Sequence, residues 1–292
     1  MPSNKKILQW NLNSFKAKHG RLEYLISEYN VEIIALQETK IPTNKVTKIR
    51  GYKVYQNNRT AQGGGVLLAV HNNIPSMQFN INSQLEVIVV TVSFKNIRIN
   101  ICNLYLPEHA FVTLDILNNL FKSIPDPKII VGDINAKHYS WGATINCPRG
   151  IIISDSFLEN DLYTLNDGSP TRFDRFTDTY SHIDISSCST TLANRLDWNT
   201  LESLHTSIHF PILINYDFEQ YYTRRCVRYK LDKADWPSYQ NNVRLPNNFN
   251  NATNDLTIIL NAIIQVSKQH IPLSNPIINT KYNVYGGGNL VQ

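Results

Sequence analysis

The sequence predicts an α/β body in which two β-sheets pack face to face and helices cover their outer sides. Strand-like and helix-like segments alternate over residues 5–216, which indicates βα units, and two adjacent β-rich runs indicate a hairpin. The chain has 292 residues, of which 42% are hydrophobic and 17% are charged. It is therefore long and apolar enough to bury a sizeable core without disulfides or structural metals.

The first half of the body opens with two short apolar strands on either side of a helix. Residues 6–10 form the first strand, and residues 31–36 are apolar enough to be buried on both faces of a sheet. Between them, apolar side chains recur at the spacing of a helix at Leu22, Leu25, Ile26 and Tyr29. The glycines at 63–65 precede the apolar run 66–70 and predict a tight turn, since no Lys-Ser/Thr pair follows to form a nucleotide loop.

The second half starts with two β-rich runs, 85–94 and 97–104, and the two residues between them suit a hairpin turn. Helices are predicted at 114–121 and 150–158, and strands at 128–131, 183–186 and 210–216. Residues 1–216 are thus one predicted domain. Residues 217–292 are predicted to be a basic, weakly structured connector with one helix at 254–268.

Charge is unevenly distributed along the chain. Eight basic and three acidic residues follow residue 220, so this tail carries a net charge of +5 and the first 220 residues sum to zero. A neutral body with a basic tail suits a polyanionic partner. No apolar run reaches the ~20 residues that span a bilayer. The N-terminal residues lack a signal core, and the scattered cysteines lack zinc-ligand spacing. We expect a nuclear or cytoplasmic protein that is not secreted and not membrane-bound.

Polar side chains gather at the ends of the predicted strands, where α/β folds place their functional sites. They are Asn11, Asn13, Gln37, Glu38, Thr39, Asn103, Tyr105, Asp133, Asn135, Asp184, Ser207 and His209. Such a set suits metal-assisted phosphodiester hydrolysis, in which a carboxylate such as Glu38 holds a hard divalent cation. Asp133 is suited to orient and deprotonate the attacking water. Asparagine and tyrosine donors are suited to stabilise the phosphoryl oxygens as charge builds.

The motifs around these residues resemble those of the endonuclease/exonuclease/phosphatase superfamily. They are most similar to the endonuclease domain of jockey-like non-LTR retrotransposons, over about residues 5–216. The motifs are QWNLN (9–13), LQET (36–39), NLYLP (103–107), GDINAKHYSWG (132–142), PRG (148–150), SPT (169–171), SHID (181–184) and SIHFPI (207–212). The resemblance implies a deoxyribonuclease-like, four-layer α/β sandwich that nicks double-stranded DNA with Mg²⁺ or Mn²⁺. It also implies that the tail is the connector before a reverse transcriptase, which this chain lacks.

The resemblance also implies a role for each matching residue. Metal ligands would be Glu38, Asn11 and Asp184, and catalytic residues would be Asp133, Asn135, His209, Tyr105 and Asp184. Substrate contacts would be Thr171, Arg149, His138 and Ser207. Reasoning from the residues alone leaves a surface salt bridge open for Arg149 and a plain loop position open for His138.

One position departs from the family pattern. The family ends in Ser-Asp-His, whereas this chain has isoleucine at 208, before His209. The resemblance implies that the missing aspartate orients the histidine, so we expect His209 without a side-chain partner and a nuclease with impaired activity. Two alternatives remain open. One is a nucleic-acid-binding remnant whose site has decayed, and the other is a phosphomonoesterase or phospholipase of the same superfamily.

Overall fold

A computed structural model describes residues 5–59, 63–95, 97–218, 229–244 and 252–272. Contacts along the chain divide it into two compact units, Met1–Tyr221 and Tyr222–Gln292. The first unit carries every predicted site residue. The domain boundary proposed at residue 216 stays a prediction.

Two six-stranded mixed sheets form within the described part of the first unit. The first sheet has the spatial order β13-β14-β1-β2-β4-β3. Its strands are β1 (Lys5–Asn11), β2 (Val31–Gln37), β3 (Tyr52–Asn57), β4 (Val66–His71), β13 (Leu196–Thr200) and β14 (Ile212–Tyr216). Strands β1 and β2 run parallel, and the other pairs of this sheet are antiparallel.

The second sheet has the order β5-β6-β7-β8-β12-β9, with β7 and β8 parallel. Its strands are β5 (Ser76–Phe79), β6 (Glu86–Phe94), β7 (Ile97–Tyr105), β8 (Lys128–Asp133), β9 (Leu162–Thr164) and β12 (Asp184–Ser189). A separate two-stranded hairpin joins β10 (Arg172–Asp174) to β11 (Thr179–Ser181). The predicted hairpin is present as the antiparallel pair β6–β7, although Asn96 at its turn lies outside the described residues.

Three helices cover the outer faces of the two sheets, namely α1 (Phe15–Tyr29), α2 (Leu114–Ser123) and α3 (Pro148–Glu159). Leu22 and Leu25 of α1 pack on the outer face of the first sheet. Phe121 of α2 and Phe157 of α3 pack on the outer face of the second sheet. Between the sheets lies a third cluster of buried apolar side chains. The four-layer α/β sandwich expected from the sequence is therefore confirmed.

Several short strands were not predicted, and two bounds that matter for the site differ. Strands β3, β5, β9, β10, β11 and β13 were missed. They are three to six residues long and mostly lie at sheet edges, where exposure weakens the alternation of apolar and polar residues. The strand expected at 128–131 continues to Asp133, and the strand expected from 183 begins at Asp184. Asp133 therefore belongs to a strand rather than to the loop after it, whereas Asp184 lies in a strand as predicted.

The second unit, described by itself, contains α4 (Trp236–Asn242) and α5 (Ala252–His270). The helix expected at 254–268 corresponds to α5. The Asp235 side chain caps α4 by accepting a hydrogen bond from the Ser238 backbone N–H at 3.1 Å. In the ranges that the structure describes, no helix is both long and apolar enough to cross a bilayer.

Candidate active site

The inner faces of both sheets change from apolar to polar toward one end of the sandwich. Along β8 the inward side chains run from Ile129 through Val131 to Asp133, all within the buried interior. On neighbouring strands, Tyr105 lies opposite Asp133 and Asp133 lies opposite Asp184. Residues paired in register point to the same face of a sheet. The second sheet therefore presents these three side chains in one row at the open end of the sandwich.

The first sheet contributes residues from the facing strands. Asn11 ends β1 beside Gln37, the last residue of β2, and Glu38 follows directly. The Asn11 Nδ2 donates to Glu38 Oε1 at 2.9 Å and to Asp133 Oδ2 at 2.7 Å. This single amide therefore links a carboxylate of one sheet to a carboxylate of the other. Glu38 is the more accessible of the two, since its side chain is 22% exposed while Asp133 is buried.

His209 is paired with a carboxylate, and the expectation of an unpartnered histidine is wrong. Its Nδ1 lies 2.8 Å from Asp184 Oδ2, and its Nε2 lies 4.0 Å from Asp133 Oδ2. The physical reason is the path of the chain before β14. His209 forms a β-bridge with Arg172, and the Trp10 indole Nε1–H donates to the His209 carbonyl at 3.0 Å. These contacts aim the imidazole at the first residue of β12, which supplies the acceptor in place of a residue at 208.

Burial and mutual charge alter the acidities of these groups. Burial and the nearby carboxylate of Asp184 raise the pKa of Asp133, because a second negative charge in a dry site is unfavourable. Burial lowers the pKa of the His209 imidazole, but the charge and hydrogen bond of Asp184 outweigh it and the net shift is upward. Burial, followed by the charges of Glu38 and Asp133, raises the pKa of Tyr105. The tyrosine therefore stays a hydrogen-bond donor at neutral pH.

The donor set suits a hard divalent cation. Asp133, Asp184 and His209 offer ligand atoms that all lie within 4.8 Å of one another. The Asp184 Oδ1 is buried and has no hydrogen-bond partner in the structure. A buried carboxylate oxygen without a partner is costly unless a cation or water completes it. Carboxylate oxygens are the ligands that Mg²⁺ prefers, so these residues fit such an ion.

Comparisons with known proteins agree with this geometry. The family described as endonuclease-reverse transcriptase matches residues 99–213. The RNA-directed DNA polymerase of the mobile element jockey from Drosophila melanogaster is 25% identical over 217 residues, which cover 71% of this chain and 23% of that protein. The probable RNA-directed DNA polymerase of the Drosophila melanogaster transposon X-element is 23% identical over 173 residues, which cover 58% of this chain and 19% of that protein. The chain thus spans about a fifth of the length of these curated relatives.

Solved structures match the same body. The endonuclease domain of TRAS1, a telomere-specific non-LTR retrotransposon, aligns with a TM-score of 0.64 and 22% identity over 74% of this chain and 100% of that domain. The chain is thus similar in sequence to non-LTR retrotransposon proteins, and it shares its fold with the endonuclease domain of one of them. An AP endonuclease from Archaeoglobus fulgidus shares the fold, with a TM-score of 0.58 and 17% identity over 73% of this chain and 99% of that one.

Glu38 and Asn135 hold an uncommon backbone conformation at this site. Both lie in the left-handed region, with φ of 49° and 46°. The Asn135 backbone N–H donates to Asp133 Oδ1 at 3.1 Å, and its side-chain amide donates to the Leu106 carbonyl at 3.1 Å. Non-glycine residues in this region are strained and persist where the surroundings hold them. The sharp turns after β2 and β8 place both side chains at the open end of the sandwich.

Two of the predicted substrate contacts of the domain are internal. Thr171 is fully buried, and its Oγ1 accepts hydrogen bonds from the backbone N–H groups of Ile183 and Asp184 at 3.0 Å each. Ser207 is buried too, and its hydroxyl donates to the Asn11 carbonyl at 2.8 Å. Both hydroxyls bond the backbone at strand ends that carry site residues, and their contact with a substrate stays a prediction.

The other two predicted substrate contacts belong to loops around the domain's site. The Arg149 guanidinium donates to the backbone carbonyls of Pro107, Glu108 and Ala110 at 2.6–3.1 Å. It therefore holds the loop after β7 in place, and its contact with phosphate stays a prediction. His138 bonds Ser140 through Nδ1 at 2.8 Å and lies against the Trp141 ring. It is half-buried in the loop after β8, as the motif suggested.

Sequence reasoning noted Gln37 and Asn103 at strand ends, but it gave no role to the residues beneath and beside the site. Gln9, Gln37 and Asn103 are fully buried amides one step inside the carboxylates. The sequence contained a signal for these amides. Gln9 and Asn103 each lie two residues before a predicted site residue on the same strand, and therefore on the same face of it, and Gln37 is next to Glu38. The Lys40 Nζ lies 3.5 Å from Glu38 Oε2 and also bonds the Asn13 side chain. No pattern marked this lysine as different from any other surface lysine.

Proposed function

We propose that this domain is a divalent-metal-dependent endonuclease that nicks double-stranded DNA and leaves a 3′-hydroxyl able to prime reverse transcription. The observation that carries the proposal is the cluster of Asp133, Asp184 and His209, linked to Glu38 through Asn11. The cluster brings together two buried carboxylates and a histidine at the open end of a sandwich with a nuclease fold. The Oδ1 of Asp184 has no hydrogen-bond partner there. A structural match to a Neisseria 3′ phosphatase bound to a product DNA hairpin supports a DNA substrate.

A cation would be held by Asp184 and Asp133, with Glu38 completing its surroundings directly or through water. When bound, Mg²⁺ or Mn²⁺ supplies positive charge to the phosphoryl oxygens. We do not assign Asn11 as a metal ligand, and we give its side-chain amide a hydrogen-bonding role only. That amide keeps Glu38 and Asp133 together by donating to both carboxylates.

Asp133 accounts for the proton that leaves the attacking water. Asp133 takes a proton from water as the water oxygen bonds to phosphorus. The bond between phosphorus and the 3′-oxygen breaks, and that oxygen takes up a proton. That proton comes from solvent water, and the phosphate stays on the 5′-oxygen of the following nucleotide, so the nick carries a 3′-hydroxyl and a 5′-phosphate.

Two hydrogen-bond donors can stabilise the negative charge that develops on the phosphoryl oxygens. The Tyr105 hydroxyl remains protonated and donates a hydrogen bond, and the His209 imidazole, whose charged form Asp184 favours, stabilises the five-coordinate phosphorus. Because Asp184 already orients His209, isoleucine at 208 does not deprive the histidine of its partner. We therefore propose an active nuclease, with Asn135 supporting the carboxylate of Asp133.

Nicking of supercoiled plasmid by the purified 292-residue chain tests this proposal. We expect conversion to open circles with Mg²⁺ or Mn²⁺ and none with EDTA. The variants Asp133→Asn and Glu38→Ala should abolish conversion, whereas Asp197→Asn, at an exposed carboxylate on the edge strand β13, should not. Absence of nicking by the folded wild-type chain with either metal would refute the proposal. Equal nicking by Asp133→Asn would point to a contaminating nuclease.

A further inference from the structure

The layer directly beneath the carboxylates is made of amides that cross between the two sheets. Gln9 of β1 and Asn103 of β7 are both fully buried. Deeper in the same interior the inward side chains are apolar, for example Ile7 on β1 and Ile101 on β7. The two sheets are therefore held by non-directional packing in the middle and by directional hydrogen bonds at the site end.

Gln9 reaches from the first sheet to the two strands that carry the site aspartates. Its Nε2 donates to the carbonyls of Gly132 and Ile185, each at 3.2 Å. These two residues are register partners, and they are the immediate neighbours of the paired Asp133 and Asp184. The Gln9 Oε1 accepts from the Ser186 hydroxyl at 2.7 Å, so the whole amide is engaged.

Asn103 makes the reciprocal contact from the second sheet. Its Nδ2 donates to the carbonyls of Leu36 and Leu67, each at 2.9 Å, and these residues are register partners on β2 and β4. Its Oδ1 accepts from the Gln37 side-chain amide at 2.6 Å. Leu36 lies two residues before Glu38. Each amide therefore braces the pair of strands opposite its own sheet, directly beneath a site carboxylate.

Close approach of strands at this level reinforces the braces. A Cβ added at Gly132 would lie 1.9 Å from the Leu104 carbonyl oxygen, so β7 and β8 approach more closely there than any side chain would allow. Tyr105 and Asp133 follow on these two strands. A hydrogen bond weakens steeply with small changes in distance and angle, so amide braces tolerate less movement than apolar packing does.

We propose that Gln9 and Asn103 are positioning residues that set the separation between Glu38 on the first sheet and Asp133 and Asp184 on the second, and thereby the affinity for the catalytic cation. The inference rests on the proposed function for its cation. It goes beyond that function in assigning the geometry of the site to two residues outside it. Functional constellations must be held to about 0.5 Å, and hydrogen bonds from neighbouring residues are the usual means.

Binding of Mn²⁺ to the full chain, followed by the paramagnetic resonance of free Mn²⁺, tests the inference without requiring activity. Gln9→Met and Asn103→Leu each keep the approximate side-chain size and remove the amide. The matched control is Asn118→Leu, which removes a buried amide that bonds Glu159 and Ser156 in the helix layer, away from the site. We expect Mn²⁺ affinity to fall about tenfold or more in the two brace variants and less than twofold in the control.

Each result has a defined meaning. Brace variants that fold by circular dichroism and bind Mn²⁺ as the wild type does would overturn the inference. If only one of the two variants folds, its Mn²⁺ affinity alone decides whether the inference stands. If neither folds while Asn118→Leu does, the inference is also overturned, because the amides would then serve the core and not the site. Wild-type protein that binds Mn²⁺ but does not nick plasmid would refute the proposed function. The Mn²⁺ affinities of the Gln9 and Asn103 variants could still be compared with that of the wild type. Wild-type protein that binds no Mn²⁺ would overturn both.

Discussion

Asp184 and His209 form a buried pair, with 2.8 Å between the carboxylate Oδ2 and the imidazole Nδ1, although the residue before the histidine is isoleucine. The partner comes from the start of β12, twenty-five residues earlier in the chain. This contact changes what the departure at 208 means for the site, and it leads to the first two predictions.

Asp184→Asn should reduce the nicking rate by about 10²–10⁴-fold, because an amide neither charges the imidazole nor holds its tautomer as a carboxylate does. It should also lower the pKa of His209, which the charge of Asp184 raises. Single-turnover nicking and NMR titration of the imidazole measure the two effects. A rate within threefold of wild type would show that the pair is not needed for catalysis.

Ile208→Asp should leave the nicking rate within about threefold of wild type, because His209 already has its acceptor. Ile208→Asn is the matched control for the loss of the apolar side chain, since it has the same shape as aspartate without the charge. Rates of all three proteins on one plasmid substrate give the comparison. A gain of tenfold or more, about 1.4 kcal/mol of barrier, specific to the aspartate, would contradict the role given to Asp184.

Tyr105→Phe should lower kcat about 10–100-fold and leave KM nearly unchanged, because the lost hydroxyl donates to charge that develops only in the transition state. Tyr55→Phe is the matched control, since the Tyr55 hydroxyl bonds the Ser76 side chain outside the site. Steady-state kinetics on a fluorescent oligonucleotide duplex separates the two constants. An equal loss in both variants would indicate a general effect of removing a hydroxyl.

Metal-free protein should lose stability as pH rises from 5 to 8. The pKa of Asp133 is raised in the fold, so its contribution is present at low pH and lost as pH rises through the folded value. The raised pKa of His209 acts in the same direction, since the stability from its charged form is lost above the folded value. Asp133→Asn should therefore be more stable than wild type at pH 8, by about 1–2 kcal/mol or about 2–8 °C in Tm.

Thermal melts in EDTA at pH 5 and pH 8 measure this difference for the two proteins. The advantage of Asp133→Asn should shrink at pH 5, where the wild-type carboxyl is protonated. Saturating Mg²⁺ should remove it at pH 8, because a cation offsets the repulsion between the two carboxylates. An Asp133→Asn protein less stable than wild type at pH 8 would show that the buried carboxylate pair is not strained.

Truncation after Tyr221 should leave the melting temperature of the body nearly unchanged, since the chain divides there into separate compact units. It should flatten the salt dependence of DNA binding, because a net charge of +5 leaves with the tail. Fluorescence anisotropy with a DNA duplex at several salt concentrations gives the slope. An unchanged slope would show that the tail makes no phosphate contacts.

The sequence by itself determined the architecture, and it named strand-end residues that the structure brings together. Alternating apolar and polar positions on strands, and helical spacing between them, specify which faces must be buried, so the layers follow from local patterns. Strand-end polar residues such as Asn11, Glu38 and Asp133 were found because α/β sheets expose functional groups there. The sequence also named Thr171, Ser207 and Arg149 as candidate site residues. It did not predict the direction in which their side chains point.

Only the tertiary structure decided which side chains face each other. Register placed Tyr105, Asp133 and Asp184 in one row. The bridge between Arg172 and His209 aimed the imidazole at Asp184. These contacts join segments up to about 120 residues apart, as in the hydrogen bond from Asn11 to Asp133, and no local spacing encodes them. The partner of His209 was mistaken from the sequence for this reason, because adjacency along the chain is a poor guide where packing of two sheets sets distance.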